Sequence, residues 1–187
     1  MTAIVNPEEL AQKQIFLILV PPANMRQRNI ELIKEISTLG YHMVVITTNF
    51  PYSVLIKLYS DSGIDLNKVS FIDTVTRNSI GNAENIPRVV RYVNNPANLT
   101  DLGIAVTEVL KENAGEKVCI LFDSISTMLI YLSSSNISKF IHFVTNKLRL
   151  MDISGVFLAA EKGLDPMFVS QLTTFVDRVI DQDNSGG

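Results

Sequence analysis

The chain has 187 residues, of which 47% are hydrophobic and 19% charged, with a formal net charge of -3 at pH 7. That composition supplies ample core for one domain and excludes global disorder; no apolar run nears the ~18 residues of a membrane span. A pI of about 5.4 without a basic cluster argues against electrostatic capture of nucleic acid by the whole domain.

The opening Met1–Glu9 leads into no signal-peptide pattern, and Cys119, the only cysteine, can form no internal disulfide. Cys119 sits inside an apolar run and reads as a buried structural thiol. A cytoplasmic protein is the expectation. Residues 1–13 read as a lead-in, with Pro7 starting a helical turn, 14–181 as one domain, and 182–187 as a flexible tail.

Ile15–Val20 is a continuous apolar run closed by Pro21 and Pro22, which predicts a strand buried on both faces. Ile30, Leu32, Ile33, Ile36 and Leu39 form a helical stripe that Gly40 can end. Met43–Thr47 predicts the next strand. Pro51 opens a helix with Val54, Leu55, Leu58 and Tyr59 inward, stopping near Gly63. Val69–Ile72 predicts a short strand ending in Asp73. Thr76–Leu99, rich in Asn, Gly and Pro, predicts an irregular insertion with one helical turn around Arg88–Tyr92.

Thr100 is the expected cap of a helix carrying Leu102, Ala105, Val106, Val109 and Leu110, ended by Gly115. Val118–Phe122 is the central strand, closing abruptly at Asp123 and Ser124. Ile137, Phe140, Ile141, Val144, Leu148 and Met151 mark one face of a long helix. Gly155–Ala160 predicts another strand, Asp165-Pro166 starts a short helix, and Phe175–Ile180 completes the sheet. Strands alternating with helices predict an α/β fold: a three-layer α/β/α sandwich around a mostly parallel sheet.

An acid at the carboxyl end of a central parallel strand suits a metal or phosphate site; a helix cap or turn is the competing reading of Asp123. His42 and His142 have no companion at ligand spacing, and no Ser/His/Asp or Cys/His constellation is evident.

The stretches "KVCILFDSISTMLIYL", "FIHFVTNKLRLMDISGVFLAAEKGLDP" and "TTFVDRVIDQ" resemble the RecA/KaiC-like branch of the P-loop ATPases. "NNPANLTDLGIAVTEVLKE" is similar to the matching segment of archaeal KaiC-like proteins, and the resemblance spans roughly residues 14–181. It implies a RecA-like sheet in which the Gly155–Ala160 strand lies between those ending at Val20 and Asp123. It also implies that Asp123 and Ser124 correspond to residues that help hold the nucleotide's magnesium.

The phosphate loop departs from the family pattern. G-x-x-x-x-G-K-[ST] falls on Val20-Pro21-Pro22-Ala23-Asn24-Met25-Arg26-Gln27, with both glycines, the lysine and the hydroxyl replaced. A Cβ at Val20 and Met25 disfavours the left-handed backbone of such a loop, and Arg26 offers a wider planar head. Ile46-Thr47-Thr48-Asn49, where relatives carry a catalytic glutamate, contains no carboxylate. The resemblance therefore implies a RecA/KaiC-like domain without ATPase chemistry, no cofactor, and a regulatory or protein-interaction role. The expected partner is a second copy or a related RecA/KaiC-like protein. The competing expectation is weak ATP and magnesium binding through Arg26, Gln27, Asp123 and Ser124, with Lys162 of a neighbouring copy completing the site.

Overall fold

The structure, a computed structural model, describes residues 3–182. The expected tail beyond Gln182 lies outside the described residues.

A sheet of seven strands runs through the middle: β1 (Ile15–Val20), β2 (His42–Thr47), β3 (Val69–Asp73), β4 (Val90–Tyr92), β5 (Val118–Asp123), β6 (Ser154–Ala160) and β7 (Arg178–Asp181). The order is β4-β3-β2-β5-β6-β1-β7, and every pairing between neighbours is parallel. Among the described residues eight α-helices accompany it: α1 (Pro7–Ala11), α2 (Met25–Thr38), α3 (Tyr52–Asp61), α4 (Thr76–Ile80), α5 (Leu99–Glu112), α6 (Ile125–Met128), α7 (Ser134–Leu150) and α8 (Pro166–Thr173). The predicted three-layer α/β/α architecture is present, and β6 lies between β1 and β5 as expected.

The core divides by strand parity, because successive side chains of a strand point to opposite faces. Val118, Ile120 and Phe122 of β5 join Val106, Val109, Ile141 and Val144 beneath α5 and α7. Cys119 and Leu121 join Leu32, Ile33, Ile36 and Tyr59 beneath α2 and α3. Phe122 stacks on Phe157 with centroids 5.8 Å apart, filling the centre of the first layer. The lead-in docks against the second. Val5 and Leu10 are buried, the Ile4 and Val5 amides donate to the Glu35 carboxylate, and Ser154 Oγ donates to the Leu10 carbonyl.

Four local expectations are corrected. The segment around Arg88–Tyr92 is not helical: Arg88 has φ +61°, Ile86 bridges Val90, and Val90–Tyr92 pairs with β3 as an edge strand. Thr76–Ile80 is a helix within the stretch read as irregular. The cap of α5 is Asn98, whose side chain accepts from the Asp101 amide, so the helix begins before Thr100. Val54 is 44% exposed, whereas Leu55 and Tyr59 turn inward, because only every third or fourth residue of α3 faces the sheet.

Phe122→Ala removes the stacked ring at the core's centre and is expected to cost about 3–5 kcal/mol. Urea denaturation of the two proteins measures it through the shift in midpoint at unchanged slope.

Candidate functional site

In an open parallel sheet, ligands bind beyond the carboxyl ends of the strands, where neighbouring strands send their connections in opposite directions. Here that point lies between β2 and β5. β2 leads outward to β3 through α3, and β5 leads the other way to β6 through α6 and α7.

The connection after β1 is short. Pro22–Asn24 makes a single 3-10 turn that passes directly into α2. Pro21 and Pro22 have no N–H. The Asn24 and Met25 amides donate to the Pro21 and Pro22 carbonyls. A phosphate-wrapping loop works by presenting consecutive free amides to an anion, and this turn directs its own amides inward.

Arg26 and Gln27 are exposed on the first turn of α2. The Arg26 guanidinium lies over the Phe50 ring, 4.9 Å from its centroid, on the β2–α3 connection. Gln27 Nε2 and Arg28 Nη1 both donate to the Glu31 carboxylate at 2.8 Å. Asp123 and Ser124 are instead buried, at 7% and 3% exposure. The four residues are thus not gathered around one open cleft. Lys162 is exposed on the β6–α8 loop, where the Glu161 amide donates to the Val20 carbonyl.

Asp123 turns toward α2. Its Oδ2 accepts from Asn29 Nδ2 at 2.7 Å, and Asn29 Oδ1 accepts from the Tyr59 hydroxyl at 2.6 Å. This chain of side chains ties β5 to α2 and α3 through the second core layer. Burial pushes the Asp123 carboxyl up to about 6, with the Asn29 hydrogen bond acting the other way. Burial and then the nearby Asp123 charge hold the Tyr59 hydroxyl far above its ordinary range.

Hydrogen bonds also cross the crevice. The Thr48 amide donates to the Asp123 carbonyl at 2.9 Å, and Thr48 Oγ1 accepts from the Ser124 amide at 2.9 Å. The Asp123–Ser124 peptide is cis. The Ser124 side chain caps α6, and Ser126 Oγ accepts from the Ala160 amide at 2.6 Å, tying α6 to β6. At the end of β3, Asp73 accepts from the Tyr52, Val75 and Thr76 amides, so its carboxylate organises two helix starts.

Sequence reasoning missed Asn29, Tyr59 and Thr48. A usable signal existed for Asn29: it stands on the stripe of Leu32, Ile33 and Ile36, and a polar residue at that register calls for a buried partner.

A serine, a histidine and a carboxylate do meet, at the opposite end of the sheet. His42 Nε2 lies 2.8 Å from Ser70 Oγ, and His42 Nδ1 lies 3.2 Å from Glu116 Oε2. Ser70 is 2% exposed and its hydroxyl donates to the Arg88 carbonyl, so the group anchors the approach to β4 and presents no nucleophile. Burial lowers the His42 pKa, Glu116 raises it and Arg88 lowers it, for a net downward shift. Among the described residues, no group of three or more His, Cys, Asp or Glu is placed to hold a metal ion. Burial pushes the Cys119 thiol up to about 12, against nucleophilic use. No helix among the described residues is long and apolar enough to cross a membrane.

The two buried groups give opposite pH dependences. Asp123 is raised from an ordinary ~4 to about 6, so its contribution is full below pH ~4 and lost as pH rises through about 6. Asp123→Asn removes that loss: relative to wild type, the variant gains about 2–3 kcal/mol between pH 4 and pH 8. His42, shifted down, resists protonation in the folded state, so the wild type loses stability as pH falls through 6.5, a loss absent from His42→Gln. Urea denaturation at a series of pH values reads both.

Comparison with known proteins agrees with this architecture. An uncharacterized Pyrococcus horikoshii protein, PH0321, crystallised in complex with an unknown peptide, superimposes with a TM-score of 0.66 at 14% identity, over 90% of this chain and 77% of that one. A KaiC-like protein, PH0186, from the hyperthermophilic archaeon Pyrococcus horikoshii OT3, gives a TM-score of 0.64 at 15% identity, over 91% and 73%. Identities this low establish the fold alone, which is RecA/KaiC-like. No curated protein matches the sequence. One family model covers residues 21–182, nearly the whole domain, and the chain accordingly belongs to the family of unknown function DUF7504.

Proposed function

We propose that this chain is a non-catalytic RecA/KaiC-like domain that serves as a protein-interaction or regulatory module. The observation that carries the reading is the state of the Asp123 carboxylate. It stands where a metal-binding acid would be expected, yet it is buried and bonded to Asn29, itself only 2% exposed. A magnesium ion on Oδ2 would have to displace the Asn29 amide, which stands on α2 directly after the turn that would face the phosphates. The turn supports the same reading, because its prolines and internally bonded amides leave little to wrap an anion. The end of β2 adds no general base: Thr47 Oγ1 donates to the Phe50 carbonyl and Thr48 bridges to β5. Among similar folds, PH0321 is in complex with an unknown peptide, which is consistent with an interaction role for this chain.

Calorimetric titration with ATP and magnesium, alongside ADP, tests the proposal. No saturable heat up to millimolar ligand, and no rise in melting temperature, is the expected result. Saturable micromolar binding, abolished by Asp123→Ala and Arg26→Ala, would overturn it in favour of a nucleotide-binding protein.

A further inference from the structure

The helical layer over the first core half is not closed. Between α5 and α7 runs a groove of about 510 Å³ with Ile104, Phe140 and Phe143 as its apolar floor and Gly103 among its lining. A Cβ at Gly103 would lie 3.3 Å from the Phe143 ring, so the missing side chain lets the ring settle against α5. Ile104 is 52% exposed and Phe143 47%, large apolar groups on helices whose inner faces are buried.

The α7 edge of this floor is basic. Lys139 lines the groove, and Lys147 lies over the Phe143 ring, 5.7 Å from its centroid; none of the lining residues is acidic. The α5 edge carries Asp101 and Glu108 beside Ile104: Glu108 and Glu112 share Arg91, at 3.2 and 2.6 Å, and Asp101 accepts from the neutral Asn98 amide at 2.7 Å. Lys139 and Lys147 make no ion pair among the described residues.

We infer that this groove is the docking surface of the module, and that its occupant is an amphipathic helix of another protein with carboxylates along the edge that meets α7. The inference rests on the interaction reading above. Two adjacent helices form a groove into which a third packs its apolar face. Eight residues separate the two lysines, about 12 Å along the helix, so the occupant carries carboxylates about two turns apart, flanking an apolar stripe. A second copy is the competing occupant, and sedimentation distinguishes it from a helix of another protein.

The test is selection of a displayed library of helical peptides on the full chain, with counter-selection on a Lys139→Glu/Lys147→Glu variant. Lys139 is exposed and Lys147 half-buried on α7, and an unchanged melting curve confirms that the variant is folded. The expected winners carry acidic residues about two turns apart around an apolar stripe. A labelled winner should bind at least tenfold more weakly to the double variant and to Ile104→Asp, and more weakly as salt rises. Winners without acidic bias, winners that bind the double variant equally well, or no winners at all would overturn the inference. Wild-type protein sedimenting as a dimer that Phe143→Glu dissolves would overturn it in favour of a second copy. Equal binding to the double variant removes this surface while leaving an interaction role in place, whereas micromolar ATP binding removes the non-catalytic reading and leaves the groove standing.

Discussion

All six residues of β5 are buried, and the rest of the molecule is arranged to make that possible. A parallel strand with apolar side chains on both faces needs a helical layer on each. Val118, Ile120 and Phe122 face α5 and α7, while Cys119 and Leu121 face α2 and α3. The strands on either side, β2 and β6, are buried along nearly their whole lengths as well. The connections between parallel strands must cross over, so each strand brings the helix that covers its neighbour. The central apolar run therefore sets the layer count, and with it the location of the crevice between β2 and β5.

That crevice is where an open α/β sheet normally takes its ligand, and here it is occupied by the protein's own polar groups. An ionised carboxylate at the end of β5 is costly to bury, as the upward shift of Asp123 indicates. Asn29 and Tyr59 offset part of that cost, and the same contacts fix α2 and α3 against the sheet. Thr48 performs the equivalent service for the backbone across the crevice. Tightness at this end and access for a nucleotide's phosphates are competing demands on the same few atoms.

Most of this architecture is legible in the amino-acid order. The runs Ile15–Val20, Val118–Phe122 and Gly155–Ala160 have the length and apolar continuity of buried strands, and all three are strands. β4 was hidden because its three residues sit among Asn, Pro and Arg, and its pairing with β3 is a tertiary fact. The start of α5 was misplaced because Asn98 and Thr100 are both competent caps, and only packing of the preceding turn selects between them. At the site, the short Pro-rich turn could be anticipated from Pro21 and Pro22. The Asp123–Asn29–Tyr59 chain could not, since its members are far apart in sequence and meet only when α2 and α3 lie on the sheet. The Ser70–His42–Glu116 cluster was invisible for the same reason.

The two faces of the sheet end up unequal. Over the second layer, the lead-in adds a further cover: Ile4 and Val5 bond to Glu35, and Leu10 is fully buried. Over the first layer nothing comparable lies on α5 and α7 among the described residues, and Ile104 and Phe143 remain on the surface beside Lys139 and Lys147. An apolar patch on an otherwise well-packed domain has an energetic cost in water, and such patches mark interaction surfaces more often than accidents of packing. A domain whose strand-end crevice is knitted shut but whose helical layer stays open is suited to binding along its flank. On the proposed reading, recognition in this chain has moved from the ends of the strands to the groove between two helices.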